Sequence, residues 1–375
     1  MTLHARDASS EPLHPPGASF SIRTVATAAL LCWVGLLSPS AFAETTEEVL
    51  AQHRKALGGD AALAKTTAVV QKGTLEHMGV TRSFMWSTMR PMFFREDSVG
   101  TGIQETIASD GKTAWNRAFN GVVYGVSGAD RTAAHLTGLL LTRAYLAPDD
   151  HDLEAGEAKR SDGDRTWTVP FSGRHLPPFE LSFDAKTWQL TRATCKDSRG
   201  RLELTFEDVR KEGDLRFPFK VVRTMVRDGV NDVTAFTVKN IDRKPTLEES
   251  AFERPMETGG RFRLPEGQST VSVPLQFNAS THHILVQASI QDSPPAWFLL
   301  DSAAHATVLD KGWMAPLNLP VVDRVIASGA GGSQMLELHG VERIRIGGLE
   351  LGSTVVASSD LSDLSQAFQQ PVAGI

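Results

Sequence analysis

One stretch concentrates the residues whose types and spacing could do chemistry: Trp297-Phe298-Leu299-Leu300-Asp301-Ser302-Ala303-Ala304-His305-Ala306-Thr307-Val308-Leu309-Asp310. An apolar run leads into Asp301. The hydroxyl residue Ser302 and the small Ala303 and Ala304 follow, then a second run rich in β-branched and aliphatic residues. This pattern predicts a strand that delivers a carboxylate to a tight turn, with another strand leaving it. Activating a water without metal or nucleophile needs one carboxylate to polarise it while a second carboxyl group donates a proton. Two aspartates held close together cannot both ionise, so they share a proton and provide both forms at once.

The Asp301-Ser302-Ala303-Ala304 core resembles the Asp-Thr/Ser-Gly-Ala signature of single-lobe, retropepsin-like aspartic proteases, with Ala303 standing where that family has glycine. The flanking elements follow in the family's order. Ser272–Phe277 and His283–Ile290 alternate as a hairpin ahead of the aspartate strand. Val325–Gly332 resembles the glycine-rich flap, Val341–Leu351 with Gly347-Gly348 the next hairpin, and Leu361–Ser365 and Val372–Ile375 a loop and an apolar-Gly-apolar strand. The resemblance implies an aspartic-type endopeptidase acting on a peptide or protein substrate, with Asp301 as the acid/base. Ser302 would lock two active-site turns together, Ala304 would pack beneath, and Gly329, Ala330, Gly331 and Gly332 would close over substrate. The Asp-Ser/Thr-x-Ala element occurs once in this part of the chain; Asp97-Ser98 and Asp197-Ser198 lack its flanks. The second carboxylate is therefore expected from Asp301 of another copy, which makes a twofold homodimer the active form. Ala303 costs little at negative φ and about 1–2 kcal/mol at positive φ. Relatives continue past the apolar-Gly-apolar strand, so an incomplete lobe is expected.

Other chemistries lack their residues. No Gly-x-Ser-x-Gly elbow occurs. His282 and His283 are adjacent and point to opposite faces of a strand, and His305 has no third spaced ligand, so neither a metal nor any other cofactor is expected.

The elements ahead of this region read as a second body. Thr45 and Glu48 have capping-box spacing before a helix with Val49, Leu50, His53, Ala56 and Leu57 on one face, and Gly58-Gly59 supplies its stop. Short alternating strands follow from Thr66 onward, with Asn120-Gly121 a strong hairpin signal and Asp130 a candidate cap for a helix running to about Leu146. Strands resume from Thr166 to Ile241 with turns between them. The helix ending Ala56-Leu57-Gly58-Gly59, the Asp110-Gly111-x-x-x-Trp115 segment and Phe252-Glu253-Arg254-Pro255 resemble periplasmic lipoprotein-carrier-like half-barrels. That resemblance implies an apolar or lipid ligand between sheet and helices. Trp86, Trp115, Trp167 and Trp188 could line such a cavity or simply fill a sheet–helix core.

The expected fold is mainly β. A curved antiparallel sheet with covering helices spans 44–255, a polar, turn-rich linker 256–268, and a single-lobe aspartic-protease-like β domain 269–375. A net charge of -6 and the absence of a basic, aromatic-rich run over 375 residues leave no case for nucleic acid. Arg23 precedes the apolar run Val25–Leu37, and Ala41-Phe42-Ala43 follows, as in an export signal covering 1–43. The protein is expected to be periplasmic or secreted. Removal of that signal leaves Cys195 alone, so no internal disulfide can form. Two functions fit: an exported endopeptidase, or a catalytically inert lipid- or lipoprotein-binding protein with a degenerate protease-like domain. Mass spectrometry of the exported form should find Glu44 at its N-terminus; a mature chain still carrying Val25–Leu37 would contradict the cleavage.

Overall fold

In a computed structural model, the described residues are 44–375, apart from 162, 164, 198–199, 228, 257–261, 280 and 330–331. The expected signal at 1–43 lies outside them. Helix α1 (Thr46–Leu57) starts with the capping box: Thr45 Oγ accepts from Glu48 N and Glu48 Oε2 accepts from Thr45 N. It stops at Gly58, whose φ of 134° suits glycine; a Cβ there would lie 2.2 Å from the Asp214 carbonyl oxygen. The short α2 (Asp60–Ala64) follows.

Fourteen strands form one large curved antiparallel sheet. They are β1 (Ala68–His77), β2 (Val80–Met89), β3 (Phe93–Gly100), β4 (Ile103–Ser109), β5 (Ala114–Arg117), β6 (Val123–Gly125), β7 (Leu153–Ala155), β8 (Lys159–Ser161), β9 (Thr166–Gly173), β10 (Leu176–Asp184), β11 (Leu190–Asp197), β12 (Gly200–Glu212), β13 (Leu215–Arg227) and β14 (Val230–Asp242). Two meanders, β1 to β6 and β9 to β14, are joined by antiparallel pairing of β1 with β14. The short β7 and β8 were not expected; three residues are too few to show alternation.

Helix α3 (Gly128–Thr142) packs its buried Leu136 and Leu139 against the sheet. Ser127, rather than the expected Asp130, is its N-cap residue. Asp130 sits in the first turn, where a carboxylate still meets the positive end of the helix, and pairs with Arg227. Trp86 and Trp167 are buried in the core between sheet and helices and Trp188 packs partly buried against it, whereas Trp115 is buried in a separate cluster with Ala108 and Val123. Two small cavities beside this core hold about 50 and 20 Å³, and a larger one of about 580 Å³ opens beside Leu75, Ile107, Ala133 and Met225.

Ten further strands make two smaller sheets: β15 (Phe262–Arg263), β16 (Leu275–Asn278), β17 (His283–Ile290), β18 (Ala296–Leu299), β19 (Val308–Asp310), β20 (Val321–Gly329), β21 (Gly332–Val341), β22 (Ile344–Ile346), β23 (Leu349–Leu351) and β24 (Thr354–Ser359). One sheet has the order β15-β23-β22-β17-β16, with β18 on β17; the other is β19-β24-β21-β20. The stretch expected as a linker therefore contains an edge strand, because Phe262 and Arg263 pair with Leu351 and Glu350. Helices α4 (Lys311–Met314) and α5 (Ser362–Phe368) complete this part. The expected loop at Leu361–Ser365 is thus the cap and first turn of α5.

The large sheet and the smaller ones meet over an apolar contact and a buried ion pair. Ile103 packs among Leu336, Leu338, Val355 and Ala357. Beside it Arg82 Nε donates to Asp323 Oδ2 at 2.5 Å, with the two side chains 5% and 0% exposed.

His53 sets an acid limit on this fold. Its Nδ1 lies 2.5 Å from the Trp188 carbonyl and must carry the proton, so Nε2 accepts from the Tyr145 hydroxyl at 2.8 Å. Burial pushes its pKa from 6.5 down to about 4. The unfolded chain therefore binds the extra proton first as pH falls, and stability declines between pH 6.5 and about pH 4. Urea titrations should show an acid loss of about 3 kcal/mol from this group, absent in His53→Gln; parallel acid losses in both proteins would refute it.

Candidate active site

The strand β18 buries Phe298 and Leu299, then emerges at Leu300, and Asp301 through His305 are exposed. Asp301 Oδ1 accepts from Ala303 N at 2.8 Å, and Ala304 N donates to the Asp301 carbonyl at 3.3 Å. The aspartate thus builds its own tight turn, a common use of this side chain. Among the described residues its carboxylate has no ion-pair partner and no other hydrogen bond, which leaves Oδ2 available to a water or a substrate.

Ala373–Ile375 fixes the turn from behind. Leu299 N donates to Gly374 O and Ala373 N to Trp297 O, at 2.9 and 2.7 Å. On the other side, Val308 and Ile375 exchange hydrogen bonds of 3.0 and 2.8 Å, and Asp310 N donates to Ala373 O at 2.8 Å. The segment therefore lies between β18 and β19, holding the strand that enters the turn against the one that leaves it. Gly374 is required by space: a Cβ would lie 2.5 Å from the Phe298 ring and 2.6 Å from the Val308 carbonyl oxygen. Asp310, the other carboxylate of this stretch, is committed to structure. It accepts from Trp313 N at the start of α4 and from Leu361 N.

Ser302 is exposed and its hydroxyl has no partner within the chain among the described residues. Ala303 is absent from the residues with positive φ, so the methyl group that replaces the family's glycine carries no left-handed strain. Ala304, expected to pack beneath the turn, is instead exposed and lines the neighbouring cavities. Gly329 and Gly332 face each other at the end of the β20–β21 hairpin; Ala330 and Gly331 lie outside the described residues.

Two cavities flank the turn. One of about 750 Å³ is lined by Asp301, Ala304, His305 and the β5–β6 hairpin of the large sheet. The other, about 580 Å³, lies between Ala303–Ala306, the β20 residues Val325–Ala327 and one face of the large sheet. The β5–β6 hairpin also grips the turn: Asn120 Nδ2 donates to the His305 carbonyl at 2.8 Å, and the Tyr124 ring lies 5.4 Å from the His305 ring. The Asn120-Gly121 hairpin is legible in the sequence but its reach to His305 is not, since nothing local signals a contact across 185 residues. No group of three or more metal-ligating side chains forms among the described residues.

Residues 286–368, which include the Asp301 turn and the β20–β21 hairpin, match the family described as aspartyl protease. No curated protein matches the chain. Among solved structures, a LolA superfamily protein from Nitrosomonas europaea is 10% identical, covering 56% of this chain and 99% of that one with a TM-score of 0.40. A DUF1329 family protein from Desulfovibrio piger is 13% identical over 55% of this chain and 95% of that one, with a TM-score of 0.36. A putative outer membrane lipoprotein-sorting protein domain from Vibrio parahaemolyticus is 10% identical, with coverages of 55% and 95% and a TM-score of 0.37.

Because position 303 is unstrained, Ala303→Gly should leave the fold intact. It should lower unfolding stability by about 0.4–1 kcal/mol through the freer unfolded chain. A stabilised variant in urea titration would mean that the turn demands glycine geometry.

Proposed function

We propose that this protein is an exported aspartic-type endopeptidase whose dyad is Asp301 from two copies of the chain. The observation that carries the reading is the Asp301 carboxylate: exposed, held by its own turn, and opening on a cavity large enough for several residues of an extended peptide. In the dyad, the charged carboxylate accepts a proton from a bound water as its oxygen attacks the scissile carbonyl carbon. The protonated carboxyl gives its proton to the carbonyl oxygen. Collapse of the tetrahedral intermediate breaks the C–N bond, with a proton delivered to the leaving nitrogen. Ser302, without a side-chain partner among the described residues, is the group that would meet its counterpart across the twofold axis. The β20–β21 hairpin would cover the substrate, and the large sheet would recruit or position it.

A second reading is favoured by one feature. Asp301 is the one acidic side chain lining its cavity among the described residues, so a single chain offers half of the dyad. The protein would then be an inert binder, with the cavities beside the turn as its ligand site. The cavity of about 580 Å³, walled by Leu75, Ile107, Ala133 and Met225 of the sheet–helix side as well as by the turn, falls within the roughly 300–1,000 Å³ usual for ligand pockets.

Cleavage of a mixed peptide pool at acidic and neutral pH separates the two. Asp301→Asn should lower wild-type turnover at least about a thousandfold. Equal cleavage by both proteins would contradict the peptidase reading.

A further inference from the structure

Arg117 closes β5, opposite Val123 of β6 and Thr106 of β4. It is half-buried, lines the cavity of about 750 Å³ together with Asp301, and has no ion pair or side-chain hydrogen bond among the described residues. This isolation is unusual here. In the cavity on the other side of the turn, every arginine has a carboxylate: Arg82 pairs with Asp323 and Glu105, Arg223 with Glu96, and Arg227 with Asp130. The cavity of Arg117 is otherwise largely aliphatic and aromatic, with Val122, Met256, Phe262, Leu300 and Ile346 in its walls.

A guanidinium stays charged at any working pH, and its planar fork matches a carboxylate. Held in an apolar wall with no partner among the described residues, it is a charge awaiting one from a ligand. Asp301 does not fill that role, since the two groups form no ion pair although they share the cavity. We propose that Arg117 binds a carboxylate of the peptide that lies across Asp301. The cleft would thus take an extended segment pairing apolar side chains with one acidic group. That group is either an internal aspartate or glutamate or the free C-terminus of the peptide; both present the same chemistry to the fork. The specificity determinant then comes from the large sheet, so neither body alone forms the complete site.

The inference deepens the peptidase reading and rests on it for the direction of the bound chain, but the test reads binding, not turnover. The full-length Asp301→Asn protein is titrated with fluorescent octapeptides carrying Glu, Ala or Lys at one scanned position, each with a free or amidated C-terminus. Glu peptides, or free-acid peptides, should bind at least about tenfold more tightly than their neutral counterparts, as expected for a hydrogen bond to a charged group. A preference lost on amidation identifies the chain terminus; one that survives identifies the side chain. Adding Arg117→Met should erase the preference and Arg117→Glu should turn it toward Lys peptides, with unchanged urea midpoints showing that both variants fold. An undiminished preference in Arg117→Met, or no peptide binding at all, overturns the proposal. Arg117-dependent binding in a protein whose wild type never cleaves would leave it standing and remove the peptidase reading instead.

Discussion

The candidate site depends on the buried pair between Arg82 of the large sheet and Asp323 of the β20–β21 hairpin. Both carboxylate oxygens are used, Oδ2 by Arg82 Nε and Oδ1 by Arg324 N. Removing Arg82 would leave the buried Asp323 carboxylate uncompensated, a cost of about 3–5 kcal/mol, whereas Arg82 has Glu105 as a second partner. The pair lies at the root of the hairpin whose far end carries Gly329 and Gly332, so the hairpin takes its position from the large sheet. Ile103 adds apolar burial beside it, and Asn120 with Tyr124 holds His305. The turn and the hairpin root are both referenced to the same body, and the cavity between them inherits its shape from that docking.

Within this frame the Asp301 turn is held by backbone geometry. Ala373–Ile375 bonds to β18 on one side and β19 on the other, and Gly374 can lie there only because it has no side chain. Five main-chain hydrogen bonds spread over both strands leave the turn little freedom to swing. The Asp301 side chain contributes by accepting from Ala303 N, which orients one oxygen and leaves the other without a partner among the described residues. Ala303 disturbs none of this. The difference between the family's glycine and this alanine is a methyl group at ordinary φ.

Much of this was legible in the sequence because it is written locally. The capping box at Thr45 and Glu48, the alternation of the long strands and the apolar-Asp-small-apolar pattern around Asp301 each state their structure over a few residues. The start of α3 was misread because Asp130 is a good cap by type, while the chain turns helical earlier, after Ser127. What the sequence could not show is the docking. Arg82 and Asp323 are 241 residues apart, and Arg117 at the end of a strand reads as an ordinary solvated charge. Only the juxtaposition of two bodies makes the first a buried pair and the second a cation with no ion pair among the described residues in the aspartate's cavity.

The most direct test of the shared dyad uses chains carrying two different tags, one wild type and one Asp301→Asn, co-expressed and purified through both tags so that every recovered assembly holds one of each. The account predicts that these mixed assemblies cleave no peptide, because each active site has lost one of its two carboxylates. Mixed assemblies with half the activity of the wild type would contradict it, since each chain would then act through a complete site of its own.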